Sequence, residues 1–439
     1  MTQLMPPRSV VTAEVDPRND GNSDGRRVPQ QRRAYVLVTA VIGLGLLASI
    51  TPTPLYETYA RLWHFSTPTL TLVYATYAFG VLATLVLAGG ASDVVGRRPV
   101  LLAALGVLGV STVVYMLAES VAWLFVARAL QGLATGAALS TASASMLDFH
   151  PRRDAARVGH LNGIVSSGGV AIGALVSSAL IQAGWAPRVL PYVFLLALFV
   201  VAFVGAVRLP EPVTRRGRFR LTPQRPSVPA VVRGPFVLAA LAVLSSWTLA
   251  GLYFTLGPPL TGLIFHSANV VVSSLGIVMV AGTAAVALIP MRHIPPWVSA
   301  SVGSVALAGG MVLIVLAAAW GSAGYFVGGS ILAGVGFGMA FWGGLQGLVV
   351  AIPAAQRGAV MAAFYITAYI SISVPAVLAG IVVTHLGLAP TFEIFGSVVA
   401  GIALMVTAQS WRTRPRALSR IPNPNPNRSA LSVSTAKET

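Results

Sequence analysis

The sequence predicts an all-α integral membrane protein: twelve transmembrane helices in two pseudo-symmetric six-helix bundles. Composition is the first observation behind this. Of 439 residues 55% are apolar and only 9% charged, far below the roughly 25% charged that soluble domains carry. The second is that apolar runs of about 20 residues recur along the chain, each long enough to cross a ~30 Å hydrocarbon core as a helix. The third is internal repetition. Thr51-Pro52-Thr53-Pro54-Leu55 is echoed by Leu256-Gly257-Pro258-Pro259-Leu260 at an offset of 205, and Gly132 and Gly136 by Gly334 and Gly338 at an offset of 202.

Taken in order, charges, prolines and turn residues separate the spans. Residues 1–33 form a polar cytoplasmic tail with six arginines, four acids and no apolar core, so no signal peptide is expected there. Span 1 (34–55) opens behind Arg32-Arg33 and closes at Pro52 and Pro54. Span 2 (69–91) closes at Gly89-Gly90, and span 3 (99–118) opens behind Arg97-Arg98. Span 4 (120–147) runs into Asp148-Phe149-His150-Pro151, followed by Arg152, Arg153 and Arg157. Spans 5 (158–184) and 6 (188–208) complete an N-terminal bundle over 34–208. Residues 209–233, rich in Pro and Arg with Glu211 as the single acid, lack helical periodicity and read as a cytoplasmic linker that faces lipid headgroups. Spans 7 to 12 (234–257, 268–290, 297–319, 322–350, 356–386 and 388–410) form a C-terminal bundle over 234–410. The tail 411–439, with its Pro-Asn repeat at 422–427, reads as disordered and cytoplasmic.

The formal charge of +17 would raise the question of nucleic acid in a soluble protein; here it is distributed by topology. With the N-terminus in the cytoplasm, inner segments hold 26 of the 29 basic residues. Only Arg61 and Arg188 fall outside, and Arg128 lies within a span. That asymmetry places both termini in the cytoplasm of a multi-pass plasma or inner membrane protein. Lipid and a small molecule are the expected partners, and nucleic acid is not. The chain has no cysteine, which excludes disulfides, thiolate metal sites and cysteine nucleophiles.

After span 2 the chain reads Gly89-Gly90-Ala91-Ser92-Asp93-Val94-Val95-Gly96-Arg97-Arg98-Pro99. An arginine pair in a short loop is topogenic, but an acid at a membrane boundary usually has a partner. The segment resembles the signature loop of the major facilitator superfamily, matching at Gly89, Asp93, Gly96, Arg97 and Arg98 and departing at Val94. The resemblance extends over residues 34 to 410 through span count, linker and repeated halves. It implies a cytoplasmic latch made by Asp93 and Arg97. Asp148 is then either a second acid for Arg97 or a surface acid among arginines.

Arg128 lies about two turns inside span 4. A charge at that depth costs about 3 kcal/mol or more and faces a protein interior or an aqueous cavity by default; snorkelling to the outer headgroups is the alternative. Arg128, Gln131, Gly132 and Gly136 resemble the superfamily's second signature, whose arginine is implied in proton transfer or in organising the central cavity. In span 5, Gly169 and Gly173 match an antiporter-associated signature, but Val170 stands where its proline belongs, and tight helix packing also accounts for the glycines. No acid lies in span 1. Glu57, the nearest, either pairs with Arg128 or forms an i,i+4 pair with Arg61.

Trp63, Trp123, Trp185, Trp297, Trp320 and Trp411 sit near span ends as interfacial anchors. Trp247, Tyr253 and Phe254 in span 7, Trp342 and Gln346 in span 10, and Tyr365 and Tyr369 in span 11 lie on helices that the resemblance implies line or flank the substrate path; core packing is the other reading of each. No phosphate-cradling loop, His ligand spacing or nucleophile elbow is present, so no enzyme activity and no cofactor is expected. The expectation is a monomeric secondary transporter that exports a small amphipathic compound by proton antiport. An uptake symporter and a non-transporting membrane sensor or scaffold are the alternatives.

Overall fold

The computed structural model describes residues 24–213, 225–353 and 356–413. Most of the N-terminal tail, the linker core 214–224 and the tail beyond 413 lie outside the described residues, so the expected disorder of the C-terminal tail falls there too.

Every long element is a helix, because backbone polar groups in lipid must be satisfied within their own segment. Among the described residues twelve helices are long and apolar enough to cross a membrane, and no strand occurs. In the first half these belong to α1 (Asp24–Ile50), α3 (Thr67–Ala88), α5 (Arg97–Met116), α6 (Val121–Phe149), α7 (Ala155–Gln182) and α8 (Leu190–Val207). Between them lie two short helices, α2 (Tyr56–Trp63) and α4 (Ala91–Val95). The second half contributes α9 (Arg233–Thr255), the short α10 (Gly257–Phe265), α11 (Val270–Leu288), α12 (Pro296–Trp320), α13 (Ala323–Ala351), α14 (Arg357–Leu386) and α15 (Leu388–Thr413). Two details differ from the sequence reading. The first helix begins at Asp24, ahead of position 34, since polar residues continue a helix once it projects from the bilayer. The segments behind Pro54 and Pro258 are helical rather than loops.

The two halves repeat each other in how matching glycines pack and how matching short helices end. A Cβ at Gly132 would strike the Tyr77 carbonyl, and one at Gly136 would lie 2.9 Å from the Val81 carbonyl. In the other half a Cβ at Gly334 would strike the Val280 carbonyl, and one at Gly338 would lie 2.9 Å from that of Ala284. Positions 77 and 81 correspond to 280 and 284, so α6 packs on α3 as α13 packs on α11, through small residues that let backbones approach. His64 ends α2 and His266 ends α10, both left-handed, at φ 50 and φ 49.

The bundles meet along two seams, α3 against α14 and α7 against α11. Interiors are apolar, while Val201, Val286 and Val302 are among many exposed valines suited to lipid. Pro375 interrupts α14 and deprives the Ser371 carbonyl of its helical donor. The Thr248 hydroxyl of α9 donates to that carbonyl at 3.1 Å.

Candidate functional site

At the Arg-rich end, α4 and the start of α5 build the first cluster. Gly96 sits at φ +117, a conformation open to glycine, and turns the chain sharply into α5. The turn places Arg97 between two carboxylates: it meets Asp93 at 2.6 Å through Nη1 and donates from Nε to Asp148 Oδ2 at 3.0 Å. Nη1 also donates to the Ser92 hydroxyl at 2.7 Å. Asp148 is thus engaged rather than free among arginines. A third acid completes the cluster. The Glu211 carboxylate accepts from the backbone N–H groups of Arg97 and Arg98, each at 3.0 Å, capping the positive end of α5.

The second cluster surrounds Arg128, which is fully buried and does not snorkel. Its Nη1 donates to the Ser49 carbonyl and to Gln131 Oε1, both at 2.7 Å, and its Nε donates to the Tyr56 hydroxyl. Gln131 Nε2 in turn donates to the Ala48 carbonyl at 2.9 Å. Ala48 and Ser49 end α1, where carbonyls lack helical donors; Pro52 in particular has no N–H to offer Ala48. Arg128 and Gln131 therefore cap α1, and the negative end of that helix faces the guanidinium. The rings of Tyr56, Tyr74 and Tyr77 pack around it with centroids 5.3, 5.8 and 5.4 Å from Cζ. Nη2 has no hydrogen-bond partner. Glu57 is not brought here. It lies exposed on α2, 3.4 Å from Arg61, because the short helix turns it toward solvent one turn from that arginine.

From this cage an aromatic patch crosses the first seam. Tyr74 and Ala78 of α3 join Ala250 and Ile372 of the other bundle, with Trp247, Phe254 and Tyr369 packed against them. Tyr74 meets Phe254 edge-on at 6.2 Å, and Trp247 meets Tyr369 at 5.2 Å. Tyr365 lies beside Phe364 within the second bundle. Trp342 and Gln346 lie near Gly159 of α7, toward the Arg-rich end. Tyr253 is a correction: it is fully buried in the core of the second bundle, bonded to the Ser330 hydroxyl at 2.9 Å and packed on Phe326 and Phe392. One residue from Phe254 on a helix, it points about 100° away. Gly169 and Gly173 serve close packing, since a Cβ at either would strike α1 at Gly43 or Leu47.

The family model for the Major Facilitator Superfamily matches residues 35–376. The chain belongs to the major facilitator superfamily. Similar solved structures include the human organic anion transporter MFSD10 (TETRAN), at 19% identity and TM-score 0.64 over 87% of this chain and 100% of that one. The proton:xylose symporter XylE bound to 6-bromo-6-deoxy-D-glucose matches at 14% identity and TM-score 0.66, covering 88% and 96%. A partially occluded inward-open form of the xylose transporter XylE from E. coli matches at 13% identity and TM-score 0.68, covering 88% and 98%. At these identities the likeness is one of fold. Comparison with curated proteins returned no match. Membership makes the chain a multi-pass membrane transporter of the secondary type.

Within this major facilitator chain the sequence reading missed Glu211 and the tyrosine cage. Glu211 stands 114 positions from Arg97, and its one local signal was being the sole acid in an arginine-rich segment. The cage draws on α2, α3 and α6 at once, but Pro52 four residues beyond Ala48 was a readable sign that α1 needs a capping donor.

Proposed function

We propose that the chain exports a small amphipathic organic compound in exchange for protons, by rocking of the bundles 34–208 and 234–410 about the aromatic patch. The observation that carries the reading is Arg128. A fully buried cation whose hydrogen-bond partners are all uncharged, next to aromatic side chains that bridge the two halves, suits a substrate with an apolar body and polar or anionic oxygen. Trp247, Phe254 and Tyr369 would contact that body, and Trp342, Gln346 and Tyr365 would flank it. Asp93, Arg97, Asp148 and Glu211 form the gate at the Arg-rich end, which the arginine distribution assigns to the cytoplasm. Gly169 and Gly173 give the spacing associated with antiport. The monomer is complete for this purpose, because both halves of the site come from one chain.

Val170 favours a second reading, uptake by symport, since the proline of the antiporter signature is missing. Purified protein in liposomes with an imposed pH gradient, an internal pH dye and a panel of amphipathic compounds separates the two. Proton flux that appears only with a compound, and opposite to its movement, is the expected result. Flux in the same direction as the compound establishes symport instead, and silence across the panel with folded, oriented protein counts against both.

A further inference from the structure

We propose that His160 is a proton-binding site whose occupancy decides whether the two bundles are closed against each other at the Arg-rich end. The proposal rests on the transporter reading and supplies it with a titrating group. Proton control needs a side chain that changes charge in the working pH range and meets different surroundings in two states. The carboxylates whose side chains are described are otherwise committed or remote. Glu57 pairs with Arg61, Asp93 and Asp148 with Arg97, and Asp154 with Arg157. Glu211 caps α5, while Glu119 and Glu393 lie at the opposite end of the molecule. Among the histidines, His64 and His266 end short helices at that opposite end, and His385 is exposed in the last turn of α14. His150 accepts backbone N–H groups, and His293 is exposed beside Arg292.

His160 differs from all of these. It is 8% exposed, and neither ring nitrogen has a hydrogen-bond partner. It stands in the second turn of α7, one turn beyond exposed Ala156, so water at that end is close. Its ring meets Trp342 of the other bundle edge-on, with centroids 5.1 Å apart and planes at 69°. Gly159 beside it faces Trp342 and Gln346, which a Cβ there would meet at 3.7 Å, an ordinary packing distance. Around Trp342, Leu288, Met291 and Met339 make an apolar cluster that Ile164 of α7 joins. The seam at this end is thus closed by apolar packing onto an imidazole.

The groups facing it set the sign. From the turn after α11 the charge is Arg292, with His293 beside it, and the Ile289 backbone lies alongside the ring without closing a bond of good geometry. From α13 the neighbours are Trp342 and Gln346, both uncharged. Of the charges on α6, Asp148 is held by Arg97; among the described side chains of α1 the charges are Arg32 and Arg33, both exposed; on α7 itself Arg157 pairs with Asp154. Water at the Arg-rich end delivers the proton to whichever ring nitrogen lacks one. A second N–H bond forms, the ring becomes a cation, and release is the reverse. In the closed seam that cation would be desolvated and face a like charge, which outweighs its attraction to the Trp342 ring. Opening the seam hydrates it. Low pH therefore opens this end and high pH closes it.

A cysteine-free chain permits a direct test by spin-label distances in lipid nanodiscs. Labels at A156C and V350C report the Arg-rich end, and L62C with L386C the opposite end; all four positions are exposed. Between about pH 8 and pH 5 the long-distance fraction of the first pair should rise about tenfold. His160→Gln and His160→Asn should each hold the closed distribution at both values while melting like the parent. A pH-invariant distance in the parent, or a shift that survives in both variants, overturns the proposal. If the opposite pair still shows two populations in that case, transport by alternating access stands without His160. If neither pair moves under any condition, both readings fall.

Discussion

Arg128 is a capping residue as much as a charge. Its bonds to Ser49 and Tyr56 tie α6 to the end of α1 and the start of α2, and Gln131 supplies the donor that Pro52 cannot. Lysine at 128 would keep the charge but lose the fork that reaches both partners. Charge-assisted bonds are worth about 1.5–3 kcal/mol each, so Arg128→Lys should lower transport by at least about tenfold and Arg128→Ala further. Transport at the parent rate in liposomes, at equal protein content, would refute the assignment. Glu211 makes a separate case. Its carboxylate caps α5 from outside the signature loop, and caps of this kind contribute about 1 kcal/mol. Glu211→Ala should destabilise the protein by about that much, and Glu211→Gln by less because one acceptor oxygen remains. Thermal melting followed by tryptophan fluorescence reads both; an alanine variant that melts with the parent removes Glu211 from the gate.

Helix packing gives the elements a sharper test than their lengths do. Gly168 and Gly169 are neighbours on α7, yet a Cβ at Gly169 would strike the Gly43 carbonyl of α1 and one at Gly168 would meet nothing within 4 Å. Gly169→Ala should therefore lower the melting temperature and transport, while Gly168→Ala should leave both unchanged or slightly raise stability through helix propensity. Equal effects from the two would mean that α1 and α7 are not so closely packed. The twelve spans were legible because lipid forces each crossing to be a long apolar helix, and the Gly132/Gly334 and Gly136/Gly338 repeats marked the halves. The short helices α2 and α10 were not, because eight or nine residues behind a proline give too little periodicity to separate helix from loop. Within the site, their positions at adjoining span ends made Asp148 one candidate partner for Arg97, with a surface acid among arginines as the other reading. The opposite orientations of Tyr253 and Phe254 could not be read, since on a helix apolar on every face the pattern does not mark which side meets the partner bundle.

For the whole molecule the question is whether the seams part. Alternating access requires the end opposite the arginines to open and close, and the α3–α14 seam there is narrow. A Cβ at Gly380 of α14 would lie 3.1 Å from Thr71 Cβ on α3. Disulfides join Cβ atoms about 3.5–4.5 Å apart, so a Thr71→Cys, Gly380→Cys pair needs only a few tenths of an ångström of relaxation to bridge. With no native cysteine to compete, oxidation should yield one defined crosslink. Rocking bundles must separate these positions once per cycle, so the crosslinked protein should lose nearly all transport and regain it on reduction, while Thr71→Cys alone keeps most of its activity; Gly380→Cys alone would set a Cβ 2.5 Å from Thr71 Oγ1 and should be impaired. A rigid pore or a sensor has no such requirement. Crosslinked protein that still moves substrate at the reduced rate would show that this seam stays closed throughout, and would rule out rocking about it.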